Sequence, residues 1–218
     1  MKQNKTYIYC VLDRSGSMSS IINDSIGGFN EFLTQQKQIP GECEVSINIF
    51  DDHQHLLINH KQINDVQPLT KEVYYPRGGT ALYDAIGCSI NSLGEYLSNL
   101  PEEERPEKVL FVILTDGEEN QSKQFSGQQI SNMISHQRDV YSWEFIFLAA
   151  NQDALSVADT LSISKGNSMN FMASSMGTRS VYSSMSDSVS NYRSKAKKDV
   201  VLSALFNDAG IDNTKTAE

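Results

Sequence analysis

The chain alternates between short apolar runs and stretches in which apolar residues recur every three or four positions. The apolar runs, at residues 7–12, 109–114 and 143–150, predict strands buried on both faces of a parallel sheet. The recurrent spacing predicts amphipathic helices, of which the clearest cover residues 22–33 and 82–97. Strands and helices that alternate in this way are typical of one α/β domain with a mostly parallel sheet between two helical layers.

One pair of predicted strands departs from the parallel order. Val45, Ile47 and Ile49 alternate with polar residues, as they should in a half-covered strand. A second strand-like stretch, residues 55–60, follows after the short link 51–54. A link this short permits only an antiparallel hairpin, because a parallel return needs a crossover of about a dozen residues.

The last part of the chain predicts smaller elements and one long helix. Short helices are expected near residues 130–134 and 155–161, and a weak edge strand at 168–172. An apolar stripe from Val181 onward predicts a C-terminal helix over about 178–207, with a frayed tail at 211–218. We expect this helix to dock on the body, although its net basic charge leaves a partner-binding or assembly role open.

Composition and charge narrow the class of protein. The 218 residues, 39% of them hydrophobic and 21% charged, predict one globular domain that needs no disulfide or metal to fold. Three cysteines without a paired motif favour reduced thiols. The sequence shows no secretory signal and no apolar run of about 20 residues. Together these features predict a cytoplasmic protein without a membrane partner. A net charge of −9 makes nucleic acid a poor partner.

Oxygen-bearing side chains cluster just beyond the predicted strand ends, where ligands bind in open parallel sheets. They fall in residues 13–18, 76–81 and 115–117. The candidate donors are Asp13, Ser15, Ser17, Thr80 and Asp116. Two carboxylates and three hydroxyls, without sulfur or imidazole, suit a hard divalent cation: magnesium (Mg²⁺), with Mn²⁺ or Ca²⁺ as substitutes. Water would hold at least one further position, and a carboxylate from another molecule could displace it.

The three stretches, taken in order, resemble a known family. Asp-x-Ser-x-Ser after the first strand, Gly-Gly-Thr before a helix and Thr-Asp-Gly after a later strand are similar to the metal-ion-dependent adhesion site (MIDAS) of von Willebrand factor type A (VWA) domains. The resemblance covers about residues 5–205 and implies a single VWA domain over 1–218, Rossmann-like, with one antiparallel edge strand. It implies Asp13, Ser15 and Ser17 as the first ligand group, Thr80 as the second and Asp116 as the third.

Residues near these ligands are candidates for supporting roles. Those expected to rim the site and select the partner, or else to be solvated loop residues, are Arg14, Arg77, Glu118, Glu119, Asn120, Asn151 and Asp153. Asp84 could orient a metal-bound water or hydroxyl, or could be an acid at a helix N-terminus. Gly16 and Gly79 let the backbone turn tightly beside the ion. His53, His55 and His60 do not complete a tetrahedral zinc set and are expected to be polar hairpin residues.

Three functions remain to be compared. The first is a non-catalytic, divalent-metal-dependent module that binds an Asp or Glu of a partner protein; the resemblance adds an AAA+ ATPase or a larger assembly as candidate partners. The second is a structural or assembly subunit of a bacterial or phage particle or scaffold, in which the metal only stabilises the loops. A metal-dependent phosphohydrolase is the least favoured, because the three ligand loops contain no His, Lys or Cys to act as base or nucleophile.

Overall fold

The computed structural model describes residues 1–150 and 154–195. Several sequence predictions lie outside these residues: Asn151 and Asp153 as rim residues, the C-terminal helix beyond residue 195, and the frayed tail at 211–218. The rest of the domain can be compared with the predictions element by element.

Within these residues, six strands form one sheet in the order β3-β2-β1-β4-β5-β6. They are β1 (Lys2–Asp13), β2 (Glu42–Phe50), β3 (Gln54–Gln62), β4 (Pro106–Thr115), β5 (Glu144–Ala150) and β6 (Ser168–Phe171). All neighbouring strands are parallel except β2 and β3, which form an antiparallel hairpin at one edge. The predicted three-layer α/β/α fold with one antiparallel edge strand is therefore confirmed.

In the described part of the chain, five α-helices cover the two faces of the sheet. They are α1 (Ile22–Lys37), α2 (Leu82–Asn99), α3 (Gly127–Tyr141), α4 (Ala154–Thr160) and α5 (Ser175–Ser194). One face of β1, with Ile8 and Leu12, packs against α1 and α5, and the other, with Tyr7 and Val11, packs towards α2 and α3. Each such buried side chain contributes about 1.5–3 kcal/mol relative to an exposed one. None of the described helices combines the length and hydropathy needed to cross a bilayer.

Two elements are longer than the apolar pattern predicts, because polar interactions extend them. Strand β1 begins at Lys2 rather than at residue 7, and Lys5 within this polar start forms an ion pair with Glu44 of β2 at 3.0 Å. Helix α3 begins at Gly127 because Ser126 and Gln129 form a capping box, in which each side chain binds the backbone of the other residue. Hydrophobic spacing alone contains neither signal.

Helices α1 and α5 run side by side in the same direction and approach closely at Gly28. A Cβ atom at Gly28 would lie 2.4 Å from a ring carbon of Tyr182 and 2.9 Å from its Cβ, so the buried tyrosine could not avoid it. Nearer the other end of the pair, Arg193 donates to the backbone carbonyl of Gln36. The contact joins the last described helix to the first and completes one helical layer.

The close approach predicts opposite effects for two adjacent glycines of α1. Gly28→Ala is expected to lower the free energy of unfolding by about 1–3 kcal/mol, because the methyl group would overpack the contact with Tyr182. Gly27→Ala is the matched control: it is exposed, nothing lies within 4 Å of the position that its methyl group would take, and alanine is expected to raise the stability by up to about 1 kcal/mol. Urea unfolding of both variants measures this, and equal effects would contradict the packing described.

Candidate functional site

The two central strands place the first acidic residue of the site. Strands β1 and β4 are parallel neighbours with Leu12 opposite Leu114, so Asp13 and Thr115 emerge side by side. The Thr115 hydroxyl donates to Asp13 Oδ2 at 2.6 Å, and the Ser15 backbone N–H donates to Asp13 Oδ1 at 2.6 Å. Both carboxylate oxygens of Asp13 therefore have a fixed orientation.

Three hydroxyl groups converge beside the second acidic residue. Ser15 Oγ lies 3.0 Å from Ser17 Oγ, and Ser17 Oγ donates to Asp116 Oδ1 at 2.6 Å. A Cβ atom built on Gly117 would lie 2.8 Å from Thr80 Oγ1, 3.1 Å from Ser17 Oγ and 3.5 Å from Ser15 Oγ. These hydroxyls, from loops more than 60 residues apart, thus surround one point that glycine leaves open. We call Asp13, Ser15, Ser17, Thr80 and Asp116 the oxygen cluster.

The oxygen cluster carries negative charge that no basic side chain of the described residues balances by direct contact. Asp13 is fully buried and Asp116 half-buried. Among the described residues, no nitrogen of a Lys, Arg or His side chain lies within 4.0 Å of either carboxylate. Burial raises the pKa of Asp13 to about 6, with a smaller contribution from the nearby Asp116, and burial also raises the pKa of Asp116. The two carboxylates are therefore costly to ionise unless a cation joins them.

A second loop is fixed against the first. The Tyr74 hydroxyl, which is fully buried, donates to the backbone carbonyl of Asp13. The Gly16 N–H donates to the Gly78 carbonyl at 3.1 Å. Gly78 has φ +64, and a Cβ there would lie 2.4 Å from Asp52 Oδ1, so any other residue would be both strained and crowded. These contacts hold the turn that leads to Thr80 beside the first loop.

Arg14 is buried, whereas the sequence analysis expects it at the rim of the metal site or as a solvated loop residue. It is 5% exposed, and its Nε is 2.8 Å from Asp51 Oδ2, which also accepts from Arg77 Nε at 2.6 Å. The reason is that Asp51, at the end of β2, is completely buried and needs a cationic partner. Arg77 remains partly exposed and keeps a position at the rim.

A group of three residues beside this ion pair also has metal-ligating side chains. Candidate ligand atoms of Asp51, Asp52 and His53 lie within 4.8 Å of one another. However, Asp51 Oδ2 is occupied by the two arginines, and its Oδ1 accepts from the His53 backbone N–H at 2.7 Å. Only exposed Asp52 and His53, whose Oδ1 and Nδ1 are 3.1 Å apart, retain free ligand capacity. This group is an alternative candidate for a metal site, and the sequence prediction did not include it.

Asp84 anchors a loop and does not bind a hydroxyl of the cluster. It lies in the first turn of α2, as one of its two predicted roles requires. Its carboxylate accepts the backbone N–H groups of Lys123, Gln124 and Phe125 at 2.8–2.9 Å. These contacts do not support the other predicted role, in which Asp84 orients a metal-bound water or hydroxyl. Both of its carboxylate oxygens accept hydrogen bonds from the 117–126 loop instead. Asp84 is instead a positioning residue for the segment that follows Asp116.

The predicted rim residues of the same loop have mixed roles. Asn120 and Thr80 form two hydrogen bonds, both 3.0 Å long. The Asn120 backbone N–H donates to the Thr80 carbonyl, and the Thr80 backbone N–H donates to Asn120 Oδ1. Gly79 gives these side chains room, since a Cβ there would lie 2.9 Å from Asn120 Oδ1. Glu119 accepts backbone N–H groups from α2 and from its own loop, so it stabilises the loop. Glu118 is exposed and stays available at the rim.

The sequence reasoning missed two residues that shape the cluster. Thr115 was noted as part of the Thr-Asp-Gly motif but was given no role; its position opposite Asp13 follows only once the register of β1 and β4 is known. Tyr74 had no signal at all, because its partner is a backbone carbonyl 61 residues away.

Comparisons with known proteins identify the fold. No protein-family model and no curated protein matches the chain. Among solved structures, the vWF domain of the type V pili tip protein Mfa5 from Porphyromonas gingivalis is similar with a TM-score of 0.62 at 7% identity, over 90% of this chain and 99% of that one. A von Willebrand factor type A structure from Catenulispora acidiphila has a TM-score of 0.55 at 12% identity, over 85% and 42%.

A third similar structure is proximal thread matrix protein 1 (PTMP1) from the mussel byssus, with a zinc-occupied MIDAS motif. Its TM-score is 0.57 at 15% identity, over 84% of this chain and 45% of PTMP1, so the chain spans less than half the length of that protein. At these identities the likeness establishes architecture alone. The chain has the α/β fold of von Willebrand factor type A domains.

Proposed function

We propose that this chain is a non-catalytic protein-binding module. In this proposal the oxygen cluster holds a divalent cation, which is Mg²⁺ with Mn²⁺ or Ca²⁺ as substitutes. The module binds an Asp or Glu of a partner protein through this cation. The observation that carries the proposal is the pair of neighbouring acids, Asp13 fully buried and Asp116 half-buried, beside which the described residues place no basic side chain.

The residues present fit a hard cation. The donors are oxygen atoms only, and the three hydroxyls already surround one point. Two carboxylates would balance the charge of a divalent ion, and the hydroxyls would add donors without further charge. Ser17 is hydrogen-bonded to Asp116 and to Ser15. Bonds from these oxygens to the cation would replace those hydrogen bonds. PTMP1 with zinc in its MIDAS supports the idea that this fold can hold a cation at such a site.

The chain's own residues prepare the cluster in advance. The Thr115 hydroxyl and the Ser15 N–H fix the Asp13 carboxylate, so little side-chain freedom remains to be lost on binding. Asp84 and Glu119 hold the loop after Asp116 through backbone N–H groups. When bound, the cation would supply the positive charge that attracts a partner's carboxylate to an otherwise acidic protein.

The absence of catalysis is part of the proposal. The guanidinium groups of Arg14 and Arg77, which lie in the same loops as the ligands, are engaged with Asp51 and therefore do not serve as a phosphate clamp in this arrangement. The predictions of an AAA+ ATPase or a larger assembly as partner, and of a cytoplasmic location, stay predictions.

Exchanging single carboxylates for amides is expected to distinguish the two candidate metal sites. Asp116→Asn should weaken Mg²⁺ or Mn²⁺ binding by at least about tenfold, or about 1.4 kcal/mol, because it removes one of two ligand charges. Asp52→Asn, in the alternative Asp51–Asp52–His53 group, should leave the affinity unchanged. Isothermal titration calorimetry on both variants measures the effect. If Asp52→Asn abolished binding while Asp116→Asn retained it, the oxygen cluster would not be the metal site.

Metal-free stability is expected to depend on the protonation of Asp13. Its pKa is about 6 when folded against an ordinary 3.8, so the folded state holds the proton more tightly than the unfolded chain. The resulting stabilisation is fully present below about pH 4 and is lost as the pH rises through 6. The gap corresponds to roughly 3 kcal/mol, at about 1.4 kcal/mol per pKa unit.

Asp13→Asn tests this dependence, because the amide imitates the neutral acid at every pH. In the presence of a chelator, the difference in unfolding free energy between variant and wild type should grow in the variant's favour between pH 4 and 7. Excess Mg²⁺ should then stabilise the wild type near pH 7 and leave the variant almost unaffected. Urea unfolding at each pH measures both unfolding free energies. A difference between them that does not change with pH would contradict a buried Asp13 without a cationic partner.

The protein-binding role predicts the chemistry of the ligands that the module selects. Peptides selected from a random display library in Mg²⁺, and released by a chelator, should be enriched in Asp or Glu at one position. Changing that position to Asn or Gln should abolish binding, and Asp116→Asn should fail to capture the same peptides. Selected peptides that lack an acid, or that remain bound in chelator, would exclude the proposed mode of recognition.

A further inference from the structure

A groove of about 460 Å³ lies at the end of the sheet opposite the oxygen cluster. It is formed by the last turns of α2 and α3 and by the first residues of β4. Two adjacent apolar side chains at the end of α3 line it and are open to solvent, since Val140 is 58% exposed and Tyr141 is 56% exposed. The His136 ring contacts the Tyr141 ring, with 5.6 Å between the two centroids. Exposed apolar side chains that adjoin one another beside a groove are typical of interaction surfaces.

The described part of the chain ends close to this groove. Lys108, which is buried in β4, donates through its Nζ to the carbonyls of Tyr192, at 2.8 Å, and of Lys195, and so fixes the end of α5 against the start of that strand. The residues on either side of Lys108, Glu107 and Val109, both line the groove. Successive residues of a strand point to opposite faces of the sheet, so α5 ends on one face and the groove opens on the other.

The part of the groove next to β4 is acidic. Residues 102–107 contain four glutamates and one arginine, a net charge of −3. Glu102 and Glu107 line the groove, and among the described residues no nitrogen of a Lys, Arg or His side chain lies within 4.0 Å of either carboxylate. Arg105 donates to two backbone carbonyls near the end of α2 and to no carboxylate of the described residues. A basic segment is therefore favoured at this end of the groove.

The sequence that follows the end of α5 has the complementary pattern. Residues 195–198 read Lys-Ala-Lys-Lys, and residues 199–206 read Asp-Val-Val-Leu-Ser-Ala-Leu-Phe. The basic residues therefore come first, next to the acidic start of β4, and the apolar residues follow. Four extended residues span at most about 14 Å, and stacked sheets lie about 10 Å apart. Residues 196–199 are thus long enough to bring the chain from the α5 face of the sheet to the groove.

From the exposed apolar side chains, the charge of the groove and the place where α5 ends, we infer that residues 196–206 of the same chain bind in this groove. The lysines of this segment pair with Glu102 and Glu107, and its apolar side chains contact Val140 and Tyr141. The contact fastens the C-terminal part of the chain to the end of the domain that is farthest from the oxygen cluster. It leaves that cluster open to a partner and does not depend on the proposed metal.

A spin label within the segment tests where it binds. We attach a nitroxide to Ser203→Cys in the full chain, with Cys88→Ser to remove the partly exposed cysteine, and measure the broadening of backbone amide signals by NMR. Broadening is expected at Leu97 and Tyr141 beside the groove, and none at Gly127, at the other end of α3. A mixture of spin-labelled chains with separate isotope-labelled chains should show no broadening. Broadening in the mixture would assign the groove to a second copy, and broadening spread evenly over the surface would also overturn the proposal.

Variants of the groove and of the segment separate binding from mere proximity to the end of α5. Tyr141→Ser should lower the ratio of bound to free segment at least about tenfold, because a large apolar contact is lost, and the broadening at Leu97 should fall with it. Replacing Lys197 and Lys198 together by Glu should act in the same direction. Tyr75→Ser is the matched control, since Tyr75 is 43% exposed at the oxygen-cluster end of the sheet, and should leave the broadening unchanged. Unchanged broadening in Tyr141→Ser, in a chain whose amide spectrum remains folded, or equal losses in both tyrosine variants, would contradict binding in the groove.

Discussion

The buried residue Asp13, at the junction of β1 and β4, accepts hydrogen bonds from three segments of the chain through its carboxylate and its backbone carbonyl. One oxygen accepts from Thr115 and the other from the Ser15 backbone, while the carbonyl of the same residue accepts from Tyr74. The bonds from Thr115 and Tyr74 connect segments that are distant in the sequence. The position of the Ser15 and Ser17 hydroxyls relative to Asp116 depends on them, because the loop that carries both serines begins at Asp13.

A comparison of neighbouring strand ends shows why this carboxylate differs from others. Strands β1, β2 and β4 are each ended or followed by an aspartate, at positions 13, 51 and 116. Asp51 has two guanidinium groups on one oxygen, whereas the donors that the described part of the chain supplies to Asp13 and Asp116 are hydroxyl and backbone groups. The arginines thus satisfy the acid beside the cluster and leave the cluster itself negatively charged. Mutual repulsion and burial then favour a bound proton or a bound cation, and the donor set favours the cation at neutral pH.

The sequence predicts the features that depend on local spacing. It does not predict the residue positions that depend on partners distant in the sequence. The hairpin of β2 and β3 followed from the length of one link, and the convergence of three loops followed from the rule that ligands bind at the carboxyl ends of parallel strands. Arg14 was misplaced on the rim because its partner, Asp51, lies 37 residues away. Asp84 had two open roles because nothing local shows that it accepts three backbone N–H groups from the 117–126 loop. The polar start of β1 was missed because an ion pair, rather than an apolar run, extends it.

The partners of the buried acids separate structural roles from candidate binding roles. Glu44 and Asp51 have basic partners, and Asp84 has backbone donors on both oxygens, so each is compensated within the fold. Asp13 and Glu144 are as deeply buried, yet their donors within the described residues are hydroxyl, amide or backbone groups, and burial raises the pKa of both. An apolar residue of similar volume would be cheaper at either position if folding were the only requirement. At Asp13 the surrounding donors are oxygen atoms, and the same electrostatic argument therefore favours a metal ion at that end of the sheet.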